Sequence, residues 1–197
     1  MAIKLIVGLG NPGKDYQAHR HNAGFWFVEA LVHQLGASFN KQPKFFGETS
    51  EALLANTKVR FLKPQTFMNC SGQAIQALAN YFNIKIEEIL VVHDELDLNP
   101  GITKLKKGGG HGGHNGLRDT IKALDSKEFY RLRVGVGHPG SKNEVVNFVL
   151  NKPSTKELTL IENSMDDAIK VMGQIVEGKF DEAMKLLHTV EGETNGI

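Results

Sequence analysis

The sequence predicts an α/β fold, in which a single globular domain over residues 1–197 carries a mixed, twisted β-sheet flanked by helices. Three observations support this fold class. Short apolar runs rich in branched side chains alternate along the chain with segments of helical periodicity. Several short strand-like segments between residues 45 and 62 resemble a hairpin, which adds antiparallel strands to a parallel sheet. The chain has 197 residues, of which 41% are hydrophobic and 23% charged, and this suits one soluble domain with a sizeable core.

The first half of the chain is predicted to run from a buried strand through a helix and a strand patch to a second helix. The strand is indicated by its branched apolar residues, and the helices by apolar side chains spaced about 3.6 residues apart. The predicted segments are the strand Ile3–Leu9, the helix Asn22–Leu35, the short strands Phe45–Thr49, Ala52–Ala55 and Lys58–Leu62, and the helix Ser71–Phe82. Asn22 is the expected N-cap of its helix, since an asparagine side chain can accept a backbone hydrogen bond there.

The second half alternates strands with helices and then ends in helices alone. The predicted segments are the strands Glu88–Glu95, Ile102–Lys107 and Tyr130–Gly137, and the helices Asn115–Leu124, Asn143–Leu150, Lys156–Val176 and Phe180–Leu187. Ligands bind at the carboxyl ends of strands in open α/β sheets. Asp94 and Asn11 both follow buried strands, so we expect them to meet at one edge of the sheet.

The stretch Gly108–Gly116 contains six glycines in nine residues, together with His111, His114 and Asn115. So many glycines cost more backbone entropy than a simple linker requires, and bare backbone N–H groups can bind anions. Three lysines precede the loop, at 104, 106 and 107, and a predicted helix follows it. The combination indicates a site for a phosphate-bearing substrate; the alternative is a flexible surface loop.

Charge is unevenly distributed along the chain although the net charge is only +1. Residues 101–142 hold nine Lys/Arg and three Asp/Glu, whereas residues 156–193 hold four Lys/Arg and nine Asp/Glu. A basic middle and an acidic tail suggest a polyanionic partner that binds one face. The single cysteine, Cys70, cannot form an internal disulfide and fits a reducing, cytoplasmic location. We see no secretory signal and no apolar stretch long enough for a bilayer, so no membrane association is expected.

Five polar residues end predicted strands or begin predicted helices: Asn11, His21, Asn69, Asp94 and Asn115. The sequence lacks the G-x-S-x-G turn of a nucleophilic serine and gives Cys70 no reactive setting. Water is then the expected nucleophile, with a histidine as general base held in its productive tautomer by a carboxylate such as Asp94. Asparagines could orient the water or stabilise an oxyanion. Taken alone, His21 is better explained as a capping or surface histidine.

Two other chemistries fit the sequence less well. Gly8, Gly10 and Gly13 spell G-x-G-x-x-G after a strand, but Pro12 interrupts the loop and no acidic residue ends the next strand, which argues against a dinucleotide-dependent oxidoreductase. His93, Asp94, His111 and His114 could suggest metal-dependent phosphohydrolysis. Adjacent strand residues point to opposite faces, however, and no H-E-x-x-H helix is present, so no metal site is predicted.

Several motifs together resemble the bacterial-type peptidyl-tRNA hydrolase family, and the resemblance covers nearly the whole chain. Each motif is weak alone, but the ordered set is highly specific. The matching segments are Val7–Gly13, Tyr16, Arg20–Gly24, Lys63–Asn69, His93–Asp97, Gly108–Gly116 and Arg131–Gly140. Cys70 differs from the residue expected after Asn69, which should affect packing only.

The resemblance implies a monomeric, metal-independent and cofactor-free α/β hydrolase. Such an enzyme cleaves the ester between a peptide, or an N-blocked amino acid, and the 3′ end of tRNA, and thereby recycles tRNA from aborted translation. By resemblance, His21 is the catalytic base, Asp94 favours its basic form, and Asn11 helps distinguish blocked from free aminoacyl-tRNA. The remaining implied contacts are Tyr16, Phe67, Asn69 and Asn115 for the substrate, and Lys106 with Arg133 for the tRNA 5′ phosphate at the acceptor stem. A non-catalytic RNA-binding module that uses the same basic patch is the main alternative.

Overall fold

A mixed β-sheet forms the centre of the computed structural model, which describes residues 1–193. Its strands are β1 (Leu5–Gly8), β2 (Asn40–Gln42), β3 (Gly47–Leu54), β4 (Thr57–Pro64), β5 (Ile89–Glu95), β6 (Thr103–Lys107) and β7 (Tyr130–Gly135). Within the described residues the order is β2-β3-β4-β1-β5-β7-β6. The four central strands β4, β1, β5 and β7 are parallel, whereas β2, β3 and β6 run antiparallel to their neighbours. The predicted mixed sheet is therefore confirmed; the last four residues of the predicted 1–197 domain lie outside the described part.

Helices cover both faces of this sheet. They are α1 (Ala23–Gln34), α2 (Ser71–Tyr81), α3 (Asn115–Leu124), α4 (Val145–Val149), α5 (Thr155–Lys170), α6 (Met172–Val176) and α7 (Phe180–Glu193). Because strand side chains alternate between faces, Ile6 of β1 joins the core formed with α1, α5, α6 and α7, whereas Leu5 and Val7 join the core formed with α2 and α3. In residues 1–193, no helix combines the length and the apolar composition that crossing a bilayer requires.

The strand order creates a crevice above β1. The chain leaves β1 through α1 to reach the β4 side of the sheet, and later returns through α2 to β5 on the other side. The connections at the carboxyl ends of β1 and β5 thus diverge, which is where open α/β sheets bind ligands. The loops after β1, β4 and β5 all open into this part of the molecule.

The strand patch between residues 45 and 62 is one long hairpin rather than three short strands. β3 and β4 pair over their full length, from Gly47 opposite Pro64 to Leu54 opposite Thr57. Phe45, predicted to begin a strand, lies instead in a 3₁₀ turn. The short edge strand β2 was not predicted, because its three polar residues show no apolar alternation.

The helix predicted over Lys156–Val176 is wrong as a single element. The structure has α5 and α6, separated at Val171, whose N–H bonds to the carbonyl oxygen of Ala168. The apolar face continues across this break, since Ile169, Met172 and Ile175 are all buried in the same core. Periodicity alone therefore could not reveal the interruption.

Candidate active site

Two glycines bring the start of α1 into direct contact with the sheet. A Cβ on Gly8 would collide with the carbonyl oxygen of Gly24, and a Cβ on Gly24 would collide with the backbone of Leu9 and Val92. Only glycine permits so close an approach of helix and strand backbones. The 3₁₀ turn just before α1, which carries His21, is thereby held against the carboxyl end of β5.

His21 and Asp94 form a buried pair at this point. The Nδ1 atom of His21 lies 3.0 Å from each carboxylate oxygen of Asp94, and the two residues are only 8% and 3% exposed. An ionised carboxylate can only accept hydrogen bonds, so Nδ1 carries the proton and Nε2 is left with its lone pair. Burial favours the neutral imidazole, but the charge of Asp94 and its hydrogen bonds outweigh burial and raise the pKa of His21. The arrangement is that of a general base and its orienting acid.

A second imidazole reaches the same carboxylate from the glycine loop. The Nε2 atom of His114 lies 2.8 Å from Oδ1 of Asp94, and its ring centre is 4.8 Å from that of His21. Burial opposes the charge of Asp94, yet the two histidines that surround it hold the pKa of this carboxyl well below its usual value. Asp94 is therefore ionised and holds two imidazoles from distant parts of the chain.

His93, the neighbour of Asp94 on β5, has a different environment. Its Nδ1 donates to the main-chain carbonyl oxygen of Asp94 at 2.7 Å, and its Nε2 has no hydrogen-bond partner among residues 1–193. Burial, with a smaller contribution from His114, lowers the pKa of His93 to about 3. His93 is thus a neutral packing residue at neutral pH.

Asn11 is fixed by hydrogen bonds on three sides. Its N–H donates to Oδ1 of Asn22 at 2.8 Å, its carbonyl oxygen accepts from Nδ2 of Asn22 at 2.9 Å, and its own Oδ1 accepts from the N–H of Met68 at 2.8 Å. Oδ1 is therefore committed, while Nδ2 makes no hydrogen bond to any other described residue. Asn22 stands at the N-cap position as expected, but its side chain makes no capping bond and clamps Asn11 instead.

The residues named as substrate contacts lie on segments around this centre. Tyr16 and Phe67 make an edge-to-face contact with ring centres 6.2 Å apart, and Phe67 is 60% exposed. Asn69 lies in a 3₁₀ turn that packs against α3, whose first residue is Asn115. Both asparagines are exposed, and Oδ1 of Asn115 accepts from Arg118 at 3.1 Å.

Arg131 anchors the glycine-rich loop. This residue of β7 is 3% exposed, and its two terminal nitrogens donate to the carbonyl oxygens of Gly110 and Gly109 at 2.6 and 2.5 Å. Burial lowers the pKa of Arg131 from its usual value. The loop is thus tied through its carbonyl groups to the sheet, which argues against the alternative of a flexible surface loop. Nothing in the sequence indicates this contact beyond a basic residue in a strand.

Lys106 and Arg133 lie on the same face of the β6–β7 ladder. Lys106 pairs with Arg131 and Lys104 pairs with Arg133, so alternation places all four cationic side chains on one face. Lys106 and Arg133 are diagonal neighbours, about 7–8 Å apart in such a ladder. Nε of Arg133 donates to Glu95 at 2.8 Å, which orients the guanidinium without using all of its donors.

The structure also gives evidence on the two less favoured chemistries, a dinucleotide-dependent oxidoreductase and metal-dependent phosphohydrolysis. The glycines after β1 lead into a 3₁₀ turn at Lys14–Tyr16, not into a helix, so no helix N-terminus is available there for a pyrophosphate. His111 accepts from the N–H of Gly113 and is not part of a metal-type cluster in the described residues. The set that could hold a metal is instead His21, Asp94 and His114, whose ligand atoms all lie within 4.8 Å of one another. Their separations of 2.8 and 3.0 Å are hydrogen-bond distances.

Sequence reasoning did not assign the roles of His114, Asn22 and Arg131. From the sequence, His114 was predicted as part of the phosphate-binding glycine loop or as a disfavoured metal ligand, and Asn22 as a helix cap. The signal available for both was their place in the sequence directly beside the candidate residues His21 and Asn115.

Comparisons with known proteins agree with one another. A family profile described as Peptidyl-tRNA hydrolase matches residues 5–195. A peptidyl-tRNA hydrolase of Ruthia magnifica subsp. Calyptogena magnifica is 58% identical, over 97% of this chain and 100% of the relative. One from Neisseria meningitidis serogroup C is 53% identical, over 95% of this chain and 97% of the relative. The crystal structure of peptidyl-tRNA hydrolase from Acinetobacter baumannii has a TM-score of 0.91 and 46% identity, and the match covers 94% of each chain.

Proposed function

Because the chain belongs to the peptidyl-tRNA hydrolase family, it hydrolyses peptidyl-tRNA, and we propose that His21 is the general base and Asp94 its orienting acid. The bond cleaved is the ester between the peptide, or an N-blocked amino acid, and the 3′ end of tRNA. The observation that carries the assignment is the buried contact of Nδ1 with both oxygens of Asp94, at 3.0 Å. It leaves Nε2 of His21 as the nitrogen that can take a proton.

In the proposed reaction, Nε2 of His21 removes a proton from water as the water oxygen attacks the ester carbonyl carbon. The resulting imidazolium is stabilised by the charge of Asp94. When the tetrahedral intermediate collapses, the carbon–oxygen bond to the tRNA 3′ oxygen breaks, and that oxygen takes the proton from His21. Water supplies both the hydroxyl of the released acid and the proton of the tRNA terminus, so no covalent enzyme intermediate is needed.

Asn11 is proposed to test the substrate for an amide beside the ester. Its Oδ1 is committed to Met68, so its Nδ2 is the group that can donate to the carbonyl oxygen of a blocked amino acid. A free α-ammonium offers no acceptor to this donor and is poorly solvated near a buried residue. This role depends on the acylated nitrogen and not on the side chain of the amino acid.

We further propose that the tRNA lies across the aromatic edge and the basic β6–β7 face. Bases of a single-stranded 3′ end can stack on Tyr16 or Phe67, and Asn69 and Asn115 can donate to the substrate beside them. Lys106 and Arg133 then bind the 5′ phosphate of the acceptor stem, since RNA duplexes are recognised mostly through shape and phosphate contacts.

The proposal also includes a monomeric enzyme in the cytoplasm that needs no metal or cofactor. Metal independence is supported by the hydrogen-bonded set of His21, Asp94 and His114, which already gives His21 a partner without an ion. Turnover that persists after exhaustive chelation is the expected result, and loss of turnover that returns on adding back a divalent cation would reject metal independence.

The decisive experiment is release of N-acetyl-aminoacyl groups from tRNA by the His21→Ala variant. We expect kcat to fall by about 10²–10⁴, the usual contribution of a general base, while tRNA affinity persists. His33→Ala, which removes an exposed histidine of α1, is the matched control and should behave as the original protein. Near-normal release by His21→Ala would exclude His21 as the base. Binding without hydrolysis by the unsubstituted protein would instead favour an RNA-binding module.

A further inference from the structure

The His114 ring makes two hydrogen bonds that belong to different parts of the molecule. Its Nδ1 accepts from the N–H of Leu117 at 3.3 Å and so caps the N-terminus of α3. Its Nε2 lies 2.8 Å from Oδ1 of Asp94. A neutral imidazole carries one proton, and an acceptor at Nδ1 requires that proton on Nε2. The main chain of α3 therefore sets the tautomer in which His114 donates to Asp94.

We propose that His114 is a positioning residue for the hydrolysis, which orients Asp94 and limits how strongly Asp94 retains a proton on His21. The inference rests on the proposed role of His21 as base. His114 itself acts through Asp94 and needs no contact with the reacting atoms.

His114 and His21 together fix the orientation of the Asp94 carboxylate that they share. Asp94 is 3% exposed, and Oδ1 accepts from both His21 and His114, whereas Oδ2 accepts from His21 alone. Two donors from separate segments fix the rotation of a carboxylate that one donor would leave free to turn. His21 is thereby presented with its Nε2 in a constant direction.

His114 also stabilises the negative charge on Asp94. The titratable side chains that face His21 and Asp94 are His114 from the start of α3 and His93 from β5, and His93 stays neutral at neutral pH because burial lowers its pKa to about 3. The N–H of His114 therefore stabilises negative charge that would otherwise be compensated by His21 alone. Without that N–H, protonated His21 becomes more favourable, and a base that must start neutral needs a higher pH.

Two substitutions separate capping from donation. Asparagine is among the best N-cap residues but its amide is too short to replace a donor at the imidazole Nε2. Glutamine can present an amide N–H near the position of Nε2, and it is a poor cap. His114→Asn therefore tests the contact with Asp94 while α3 remains capped, and His114→Gln does the reverse.

The experiment measures the titration of His21 by NMR of its imidazole resonances, together with the pH dependence of kcat/KM. For His114→Asn we expect the pKa of His21 and the acidic limb of kcat/KM to move up by roughly 0.5–1 pH unit, with a melting temperature within about 2 °C of the original. For His114→Gln we expect a melting temperature lower by a few degrees and a His21 titration closer to the original than that of His114→Asn.

His111→Asn is the matched control, because His111 also accepts an N–H in the glycine loop, from Gly113 at 3.0 Å, and its Nδ1 bond is local to the loop. His111→Asn should leave the NMR titration of His21 and the pH dependence of kcat/KM unchanged. An unchanged His21 titration and an unchanged acidic limb in His114→Asn would overturn the inference and leave His114 as a helix cap. The NMR titration does not require turnover, so it distinguishes this failure from failure of His21 as the base.

Discussion

At the scale of single residues, Asp94 decides what the neighbouring histidines can do. It is ionised, nearly inaccessible to water, and bonded to His21 and His114. The pKa of His21 is raised by this carboxylate in spite of burial, so the imidazole is a stronger base than an isolated buried histidine. The cost is that His21 becomes neutral only at a higher pH.

Replacing Asp94 with asparagine should lower both the activity and the pKa of His21. We expect Asp94→Asn to lower kcat/KM by about 10²–10⁴, since an amide can donate to Nδ1 and favour the tautomer that protonates Nε2. Because Asp94 is what raises the pKa of His21, the acidic limb of the remaining activity should move to lower pH. The pH profile of kcat/KM with N-acetyl-aminoacyl-tRNA provides the measurement. Activity within threefold of the original, or a limb that moves upward, would contradict the pairing.

Asn11→Asp should weaken discrimination between blocked and free aminoacyl-tRNA. The substitution preserves an oxygen for the N–H of Met68 but removes the Nδ2 donor and introduces a charge that attracts an α-ammonium. We expect kcat/KM for the blocked substrate to fall by about 10²–10³, as for loss of one catalytic hydrogen-bond donor, and by less for the free one. The ratio of the two constants is the readout. An unchanged ratio would remove Asn11 from substrate selection.

The sequence located individual polar residues better than their partners. Asn11 and Asp94 could be placed at one sheet edge because both follow buried strands, and the structure agrees. The bond between His21 and Asp94 joins residues 73 positions apart, and no periodicity encodes it. The role of Asn22 was hidden for another reason, since the same side chain suits a helix cap and a clamp on Asn11.

At the scale of elements, the approach of α1 to the sheet controls the position of His21. Gly24→Ala would drive a Cβ into the backbone of Leu9 and Val92, where no flexible side chain can yield. We expect a loss of about 1–3 kcal/mol in the free energy of unfolding, the usual cost of overpacking, and a fall in kcat as His21 moves away from Asp94. Chemical denaturation and steady-state kinetics measure the two effects.

Gly173→Ala is the comparison for that substitution. This glycine lies within α6, and its added Cβ would meet only Ala55, at an ordinary 3.8 Å. Alanine is favoured over glycine in a helix by about 0.5–1 kcal/mol, so stability should rise slightly or hold. If Gly24→Ala proved as harmless as Gly173→Ala, the close helix–strand contact would not position the site.

Helix prediction succeeded where the apolar period ran without interruption. The helix predicted at Asn115–Leu124 matches α3 at both ends, because its apolar residues keep one period throughout. Prediction failed where tertiary packing overrode local pattern, as at the break near Val171 and in the hairpin of β3 and β4. Edge strand β2 has no apolar signal because its three residues are exposed or half-buried.

At the scale of the whole molecule, the basic face of β6 and β7 and the acidic C-terminal segment lie on opposite sides of the sheet. Ala183 and Leu187 of α7 pack in the same core as Leu105 of β6, whereas Lys106, the next residue along the strand, points to the other face. A polyanion is attracted to the basic side of the sheet and repelled from the side that the acidic helices cover. We therefore expect tRNA to approach from the basic side of the sheet.

The salt dependence of KM tests whether tRNA binds to the basic face. Each phosphate contact contributes about 0.7–0.9 to the slope of log affinity against log salt concentration, so Lys106→Ala and Arg133→Ala should each reduce the slope for 1/KM by about that amount. Lys156→Ala, an exposed cation in the acidic segment, serves as the control and should leave the slope unchanged. Unaltered slopes in both basic-face variants would remove Lys106 and Arg133 from the proposed clamp.

The carboxylate of Asp94 receives one imidazole from 73 residues earlier in the chain and another from 20 residues later. No contiguous fragment shorter than residues 21–114 contains all three side chains, and the sheet must bring them together. During renaturation, ester turnover should therefore reappear only after both docking events, later than far-UV signals of secondary structure. The enzyme's own assay thus times the final stage of its assembly.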